Sequence, residues 1–518
     1  MANKWWTLVA VCVGTFMLLL DITVVMVVLP SLQGELGATL SDLQWVVDAY
    51  ALSLAALLLT AGSLADRFGR RRLYVIGVAV FALASAVCGL AGSPEFLVVA
   101  RAAQGVGGAL MFATALALLG HVYRGRDRSV AFAVWGALTG IAVGLGPLVG
   151  GALTASLSWR WIFFVNIPIA AAAIVIAQRR TPESRDPEAG RVDWGGLVTF
   201  SGALAALIFG LIRGNPDGWG SPGVLGCLIA APVLLAVFVV FERRGSAPMF
   251  DLSLFRKPAF AGVSTAAFAL SASIIALQLF LVLYLQNVLG YSALETGLRL
   301  LALSGAMFVF GALSGRLSEH VPARTRLGVG LALVGSGILL MRGLSADSDW
   351  TALLAGLIAA GAGGGLMNPA LASAAVDVVP PNRAGMGSGI NNTFRQVGIA
   401  TGIAGLGAVF QHHVTAALAT GLAHVPGLAP QSRGAIAEGI AAGHGGHAAS
   451  ALPPNTRDAV AEVARAAFSG GLNEIFLIAG CVALAASALV LGLVRTGDLA
   501  SSSEPARVGR GRSRTVPA

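Results

Sequence analysis

Long apolar runs, separated by short polar segments, recur along the whole chain. A membrane-spanning helix needs about 20 largely apolar residues, and we count fourteen such runs. They lie near residues 6–29, 45–65, 73–91, 96–119, 130–154, 161–178, 195–212, 223–241, 260–285, 298–317, 326–344, 351–376, 387–411 and 473–495. The pattern therefore predicts an all-α membrane protein with fourteen transmembrane spans. The first run carries Asp21 and has no small-x-small cleavage site, so we expect it to be a span rather than a cleaved signal peptide.

Composition points to the same class of protein and removes several others. Hydrophobic residues make up 56% and charged residues 11% of the chain, with a mean hydropathy of +0.79, whereas about a quarter of a soluble domain is charged. The two lysines, Lys4 and Lys257, lie in no Walker A context, so we expect no ATPase. The four cysteines stand singly, and no cofactor or metal site is expected. The net charge of +9 does not indicate nucleic-acid binding, because the basic residues lie between spans.

The distribution of arginine and lysine predicts the orientation of the chain. Of the 34 basic residues, 25 lie in the termini and the even-numbered connections, and seven lie in the odd-numbered ones. Cytoplasmic connections carry the excess of basic residues. Both termini are therefore predicted to be cytoplasmic, which requires an even number of spans and agrees with fourteen.

A short repeat suggests how the spans are grouped. The segments 62–67 and 311–316 both read Gly-x-Leu-x-x-Arg, at the ends of the second and tenth spans. Parallel repeats of this kind characterise a large class of secondary transporters. We therefore predict a six-helix bundle over 1–180, two inserted central helices over 181–258, and a second six-helix bundle over 259–497. The second bundle contains a long extracytoplasmic segment, 412–472, and a disordered cytoplasmic tail follows over 498–518.

The segment 412–472 carries several histidines, His412, His413, His424, His444 and His447. No HExxH or paired cysteine accompanies them. A mobile loop with some helix near 456–468 is the interpretation we adopt, and the role of the histidines stays open.

Charged residues inside spans are the strongest indication of function. Each costs roughly 2.5–3.5 kcal/mol on insertion scales unless it is paired or hydrated, and the chain has four, Asp21, Asp48, Arg101 and Arg395. A carboxylate at membrane depth can bind and release protons, so Asp21 and Asp48 are candidates for proton coupling, and Arg101 is a candidate for the same function. The alternatives are that Asp48 pairs statically with Arg101 or caps a helix near its boundary, and that Arg101 only holds the helix bundle together.

Further polar or aromatic residues within spans are candidates for a substrate cavity. They are Gln104, Gln278, Tyr284, Gln286, Asn391, Asn392, Arg395 and Gln396. Taken singly, each is equally explained by a hydrogen bond between helices. The fifth span also contains Gly146, Pro147, Gly150 and Gly151, which allow close helix approach and a bend. A gate and plain packing both use such a contact, and the sequence leaves the two open.

A set of motifs occurs in an order that is typical of one family. They are Leu20 to Pro30, Gln44 to Tyr50, Gly62 to Arg72, Arg101 to Gly105, Gly146 to Gly151, Trp159 to Pro168, Tyr284 to Ser292, and Asn391 to Gln396. Together they resemble the major facilitator superfamily, and more narrowly its fourteen-span drug:proton antiporters of the EmrB/QacA type. The family usually has Asn where Met26 stands and Gly where Ala142 stands.

The resemblance implies a fold and a mechanism. Two six-helix bundles would rock about a central cavity, with Asp21 and Asp48 exchanging protons and Arg101 tuning them. The loop residues Gly62, Asp66, Arg67, Gly69 and Arg70 would form a cytoplasmic gate, and the fifth-span motif would mark an exporter. The expected activity is proton-coupled efflux of small hydrophobic or cationic drugs across the cytoplasmic membrane, by a monomer whose partners are substrates, protons and lipid.

Two other functions remain in view. A dedicated exporter of one secondary metabolite has the same sequence pattern. A membrane enzyme should show clusters of His, Asp or Glu at membrane depth, and the spans contain none, so an enzyme or a scaffold is a remote alternative. The sequence indicates neither the substrate nor the proton stoichiometry.

Overall fold

The computed structural model describes residues 2–123, 125–185, 192–245, 248, 250–318, 320–379, 384–426, 428–441 and 452–495. Within these ranges the regular structure is helical throughout. The predicted tail, 498–518, lies outside the described residues. So do His444 and His447.

The helices follow one another with short connections. They are α1 (Ala2–Leu36), α2 (Leu40–Phe68), α3 (Arg70–Gly89), α4 (Pro94–Val122), α5 (Gly125–Ser156), α6 (Trp161–Phe164), α7 (Asn166–Arg180), α8 (Trp194–Asp217), α9 (Pro222–Arg244), α10 (Pro258–Leu270), α11 (Ala276–Leu283), α12 (Ala293–Leu317), α13 (Ala323–Leu340), α14 (Thr351–Asp377), α15 (Ala384–Leu422), α16 (Pro430–Ala441) and α17 (Pro454–Leu493). A 3-10 turn, Leu252–Arg256, precedes α10, and the π-helical turns Ser271–Ile275 and Tyr284–Val288 flank α11.

Twelve helical segments in the described part of the chain are long and apolar enough to cross a membrane. They coincide with twelve of the fourteen predicted spans, and α10, α11 and the two π-helical turns make one continuous segment. The remaining two predicted spans, 130–154 and 387–411, lie within α5 and α15. The chain is thus an all-helical, multi-pass membrane protein, and the count of fourteen remains a prediction.

The ends of the helices are fixed by local chemistry. Thr39 and Asp42 form a capping box at the start of α2, and Ser292 and Glu295 do the same for α12, so orphan backbone N–H groups are satisfied. Gly69 has a φ of +109° and separates α2 from α3. Only glycine adopts this conformation without strain, so a single residue suffices to turn the chain.

The helices pack in two groups with α8 and α9 beside them. In the first group α4 packs against α2 and α3, and α1 packs against α5 and α7; in the second, α14 packs against α12 and α13, and α17 packs against α13 and α15. The groups meet where α5 contacts α12, α2 contacts α15, and α1 contacts α11. We call the end of the molecule that contains Leu36 the outer end and the end that contains Phe68 the inner end, following the predicted orientation.

The segment 412–472 differs from the expected loop. Its described part is mostly helical, because α15 continues to Leu422, α16 covers Pro430–Ala441, and α17 begins at Pro454. Helix therefore extends well beyond the predicted stretch near 456–468. The physical reason is composition: residues 414–423 are rich in Ala and Leu and contain no Pro, and both residue types favour helix.

Candidate functional site

A buried ion pair joins α1 to α4. Arg101 Nη1 lies 2.5 Å from Asp21 Oδ2, and both side chains are almost completely buried. Asp21 is in the middle of the longest apolar run of α1, and Arg101 is two turns into α4. The sequence analysis considered a static pair between Asp48 and Arg101, and that alternative is wrong, because the structure pairs Arg101 with Asp21.

Two amides complete the surroundings of the Asp21 carboxylate. Gln104 Nε2 donates to Asp21 Oδ1 at 3.0 Å, and Asn166 Nδ2 donates to the same oxygen at 3.1 Å. Arg101 Nη1 also donates to Gln104 Oε1 at 2.6 Å. Ser85 Oγ accepts from both amides, at 3.2 and 2.9 Å, and donates to the carbonyl of Phe163. The carboxylate thus accepts three hydrogen bonds, one of them charge-assisted.

The packing of α2 against α4 fixes the position of the Arg101 side chain. Arg101 Nε donates to the carbonyl of Val46 at 3.1 Å, and its guanidinium lies 4.3 Å from the centre of the Tyr50 ring. A Cβ at Gly105 would lie 2.5 Å from the carbonyl oxygen of Tyr50, so the close approach of the two helices depends on that glycine. The planar guanidinium uses its fork of donors and its flat face at once, which lysine cannot do.

The sequence analysis identified Asp21, Arg101 and Gln104 but assigned no role to Asn166 or Ser85. Asn166 is the first residue of α7, at the Phe-Val-Asn-Ile-Pro sequence, and Ser85 lies in an apolar stretch of α3. A lone neutral polar residue in an apolar run is the signal that both carry. Such residues also form ordinary bonds between helices, so the signal alone does not place them beside Asp21.

Asp48 is in a different environment from Asp21. It is 0% exposed, and neither of its carboxyl oxygens has a hydrogen-bond partner in the described part of the chain. One turn away, Gln44 Nε2 donates to the carbonyl of Ile403 at 3.1 Å, so this face of α2 lies against α15. A buried carboxylate without a partner is costly, which distinguishes the position of Asp48 from that of Asp21.

The glycines of the fifth span face two neighbouring helices, α12 of the second group and α1 of the first. A Cβ at Gly151 would lie 2.5 Å from the carbonyl oxygen of Ala293, and one at Gly297 would overlap the carbonyl oxygen of Pro147. Gly150 faces Val24 of α1, where a Cβ would lie 2.9 Å from the carbonyl oxygen. A Cβ at Gly146 would overlap the side chain of Thr23. The motif therefore permits backbone-to-backbone contact across the molecule.

The predicted cavity residues of the second group lie in two places. Near the outer end, Gln286 Nε2 donates to the carbonyl of Val27 on α1 at 2.8 Å, and the ring of Tyr284 stacks on Phe468 with centroids 6.3 Å apart. Gln278 is buried further along the same segment. None of these three side chains forms a hydrogen bond with Asp21 or Arg101 within the described residues.

The remaining predicted cavity residues cluster on α15. Arg395 Nη2 donates to Asn368 Oδ1 of α14 at 3.0 Å and has no acidic partner among the ion pairs of the described residues. Asn391 Nδ2 bonds the carbonyl of Val263 at 3.4 Å, and Asn392 Nδ2 bonds the carbonyl of Ser388 at 3.0 Å. Gln396 is buried, and its Oε1 has no partner in the part of the chain described. Asn368 was missed by the sequence analysis.

The loop between α2 and α3 forms charge pairs at the inner end. Arg70 Nη2 lies 2.7 Å from Asp66 Oδ1. Glu183, which follows α7, accepts from the backbone N–H groups of Arg71 and Arg72 at 3.0 and 3.1 Å. The predicted gate residues Asp66 and Arg70 are thus in contact. Arg67 lies over the ring of Phe68, Gly62 has open space around its Cα, and the sequence analysis missed Glu183.

The helical architecture and a buried charge network between spans define a membrane transport protein of the secondary-transporter class. Residues 11–403 match the Major Facilitator Superfamily, and the chain belongs to that family.

Similar proteins agree with this assignment. The chain is 34% identical over 492 residues to the tetracenomycin C resistance and export protein of Streptomyces glaucescens, covering 94% of this chain and 91% of that protein. It is 37% identical over 413 residues to the multidrug resistance protein Stp of Mycobacterium tuberculosis, covering 80% and 77%. The fold is similar to the crystal structure of a bacterial homologue of the human lysosomal transporter Spinster, with a TM-score of 0.60 at 20% identity and coverage of 95% and 98%.

Proposed function

We propose that the chain exports small hydrophobic molecules, drugs or antibiotics, across the cytoplasmic membrane in exchange for protons. The observation that carries the proposal is the carboxylate of Asp21, buried at membrane depth and held by Arg101, Gln104 and Asn166. A static structural pair needs only Arg101. The two amides add neutral donors to the same carboxylate, and Arg101 has further hydrogen bonds to Gln104 and to the carbonyl of Val46, so the site has more polar partners than a static ion pair requires.

Relatives support the direction of transport. The similar proteins are named as an export and resistance protein for tetracenomycin C and as a multidrug resistance protein. We infer a fourteen-span antiporter of the EmrB/QacA type with both termini in the cytoplasm, with α5 and α15 as the remaining spans and α8 and α9 as the inserted pair. Asp48 is the second candidate for proton binding, and Asp66 with Arg70 the candidate inner gate.

The energy available from protons is sufficient for this activity. One charge crossing 100 mV supplies about 2.3 kcal/mol, which supports roughly a 40-fold gradient of a neutral substrate per proton. Opening the outer end breaks the contacts of α5 with α12 and of α1 with α11. The free energy released when a proton binds on that side and leaves on the inner side would offset the loss of these contacts in each cycle.

Proton flux in inverted vesicles tests the proposal. The vesicles carry the purified protein and are exposed to a panel of lipophilic cations and natural-product antibiotics. We expect substrate-dependent collapse of a pH gradient by the wild type, and loss of that response in Asp21→Asn with normal membrane insertion. Asp217→Asn is the matched control, because it makes the same chemical change at an exposed carboxylate that pairs with Arg213. Undiminished proton-coupled export by Asp21→Asn would refute the assignment.

A dedicated exporter of a single antibiotic is the second candidate. The resemblance to an export protein for one compound, tetracenomycin C, over 94% of the chain favours it. The same vesicle assay separates the two functions. Responses to several unrelated compounds indicate a multidrug antiporter, whereas a response to one compound alone indicates the dedicated exporter.

A further inference from the structure

Two carboxyl groups lie close together at the inner end of α8 and α9, away from the Asp21 network. Asp193 precedes α8, and its Oδ1 accepts a hydrogen bond from the backbone N–H of Gly196 at 2.7 Å. Glu242 lies in the last turn of α9 and is 5% exposed, and its Oε2 accepts from the backbone N–H of Phe250 at 3.1 Å. Each carboxyl group therefore uses one oxygen to bind backbone and has a second oxygen remaining.

The two remaining oxygens are buried side by side. Asp193 Oδ2 and Glu242 Oε1 have no hydrogen-bond donor among the described residues. Both surround Gly196, since a Cβ at that glycine would lie 2.6 Å from Asp193 Oδ2 and 2.7 Å from Glu242 Oε1. Two carboxyl groups that place buried oxygens against the same glycine repel each other when both are ionised, so both cannot be ionised at low cost. One proton held between them removes the repulsion and supplies the missing donor.

Among the residues that the structure describes, no ion pair joins a basic side chain to Asp193 or Glu242. Asp251, at the start of the 3-10 turn, adds a third negative charge nearby. Helices α8 and α9 carry no charged residue between Trp194 and Ile212 or between Pro222 and Phe241. The basic side chains of the neighbouring elements are exposed or bonded elsewhere in the described structure: Arg243, Arg244, Arg256, Lys257, which donates to the carbonyl of Val378, and Arg395, which donates to Asn368.

We propose that Asp193 and Glu242 form a proton-binding site, distinct from Asp21 and Asp48, in which one shared proton holds the linker between α9 and α10. The link to the rest of the molecule is Phe250, whose backbone Glu242 binds. The ring of Phe250 lies 5.9 Å from that of Phe238 on α9 and 6.3 Å from that of Phe394 on α15. Loss of the proton would therefore loosen the contact of the inserted helices with the second helix group.

Stability of the full-length protein in detergent micelles tests the site. The folded state keeps a proton that the unfolded carboxyl groups release above about pH 4. Stability must therefore fall as the pH rises, with the unfolding constant growing by up to about tenfold per pH unit until the folded pair is itself ionised. Between pH 5.5 and 8.5 we expect this fall for the wild type and a flatter profile for Glu242→Gln and for Asp193→Asn. Asp217→Asn, an exposed control, should follow the wild type.

An infrared difference spectrum detects the proton directly, and it would not change if Asp193 and Glu242 had a purely structural role. On going from low to high pH, the wild type should lose the infrared band of a protonated carboxylic acid. The spectrum of Glu242→Gln should lack the part of that band that comes from the pair. Asp21→Asn and Asp48→Asn serve to subtract any contribution of the two other buried carboxyl groups. Identical pH profiles and identical bands in the wild type and in both carboxamide variants would overturn the proposal.

Two further outcomes decide what the pair holds and what it controls. If Na⁺ or Ca²⁺ at constant ionic strength stabilises the wild type but not Glu242→Gln, the pair binds a metal cation and the shared proton is refuted. Trypsin cleavage after Arg256 reports release of the linker, since Lys257 is followed by Pro258 and is not a cleavage site. We expect cleavage to accelerate with pH several-fold more in the wild type than in Glu242→Gln, whereas equal acceleration in both would refute control of the linker by the pair.

Discussion

At the scale of residues, the buried side chain of Arg101 makes more contacts than that of its partner Asp21. Arg101 contacts Asp21, Gln104, Val46 and the rings of Tyr50 and Phe163. Removing one partner of a buried ion pair costs about 3–5 kcal/mol, since it leaves the other charge uncompensated. We therefore expect Arg101→Gln to lower the free energy of unfolding by about that amount, as measured by denaturation in detergent micelles.

The double variant Asp21→Asn/Arg101→Gln is the control for this prediction. Because it leaves no unpaired charge, it should be more stable than Arg101→Gln alone. If the two substitutions instead lower stability additively, the pair is not an interacting unit and the cost of Arg101→Gln has another source.

The sequence predicts the kind of chemistry at this site better than it predicts which residues form the site. Asp21 and Arg101 stand out because charges inside apolar runs are rare and costly. Asn166 and Ser85 do not stand out, because they are neutral and lie 145 and 64 positions from Asp21 along the chain. Only the packing of α1, α3, α4 and α7 brings them together, and no local pattern encodes that packing.

At the scale of elements, the contact of α5 with α12 depends on glycine, which has no side chain to separate the two backbones. Gly297 faces the carbonyl of Pro147, whereas Gly305, two turns further along α12, has open space around it. A new Cβ at Gly297 must push the two backbones apart. We expect Gly297→Ala to reduce export about tenfold, the loss that ~1.4 kcal/mol less stable closure of the outer end would produce.

Gly305→Ala is the matched control, since it adds the same methyl group to the same helix without a neighbour. It should keep export within about twofold of the wild type, given that surface substitutions usually change stability by less than 0.5 kcal/mol. Initial rates of substrate transport in proteoliposomes measure both variants. An equal loss of export in both variants would mean that the changed helix propensity of α12, and not its contact with α5, lowers export.

The boundaries of most spans follow from the sequence, because hydrophobic length is a strong and local signal. Two features of the elements do not. The π-helical turns on either side of α11 arise inside one continuous apolar run, where hydropathy carries no information about the turn type. The continuation of α15 to Leu422 was also missed, since helix beyond the predicted span depends on Ala and Leu content rather than on hydropathy.

At the scale of the whole molecule, the repeat in the sequence predicts two related groups of helices but not how they meet. Which residues touch across the groups depends on the conformation of the transporter. In this structure the outer end is closed: Asn287 Nδ2 donates to Gln33 Oε1 at 3.0 Å, and Gln286 bonds the carbonyl of Val27. Alternating access requires these contacts to break in every cycle.

A reversible covalent link across the outer end tests that requirement. In a background with Cys12, Cys88, Cys227 and Cys481 replaced by Ala, the pair Gln33→Cys/Asn287→Cys is joined by a short thiol-specific cross-linker. We expect cross-linking to reduce export to background and cleavage of the linker by a thiol reductant to restore it, because the outer end can then no longer open to release substrate.

The matched control is Ser345→Cys/Ser348→Cys in the same background. Its two hydroxyl groups are 3.1 Å apart within one loop, so a link between them does not join α1 to the second group of helices. It should react comparably and leave export unchanged. If fully cross-linked Gln33→Cys/Asn287→Cys protein transports at the unlinked rate, substrate leaves by a route that does not separate α1 from the α11 segment. The two groups of helices would then not rock apart at the outer end, even though the chain has the family's fold.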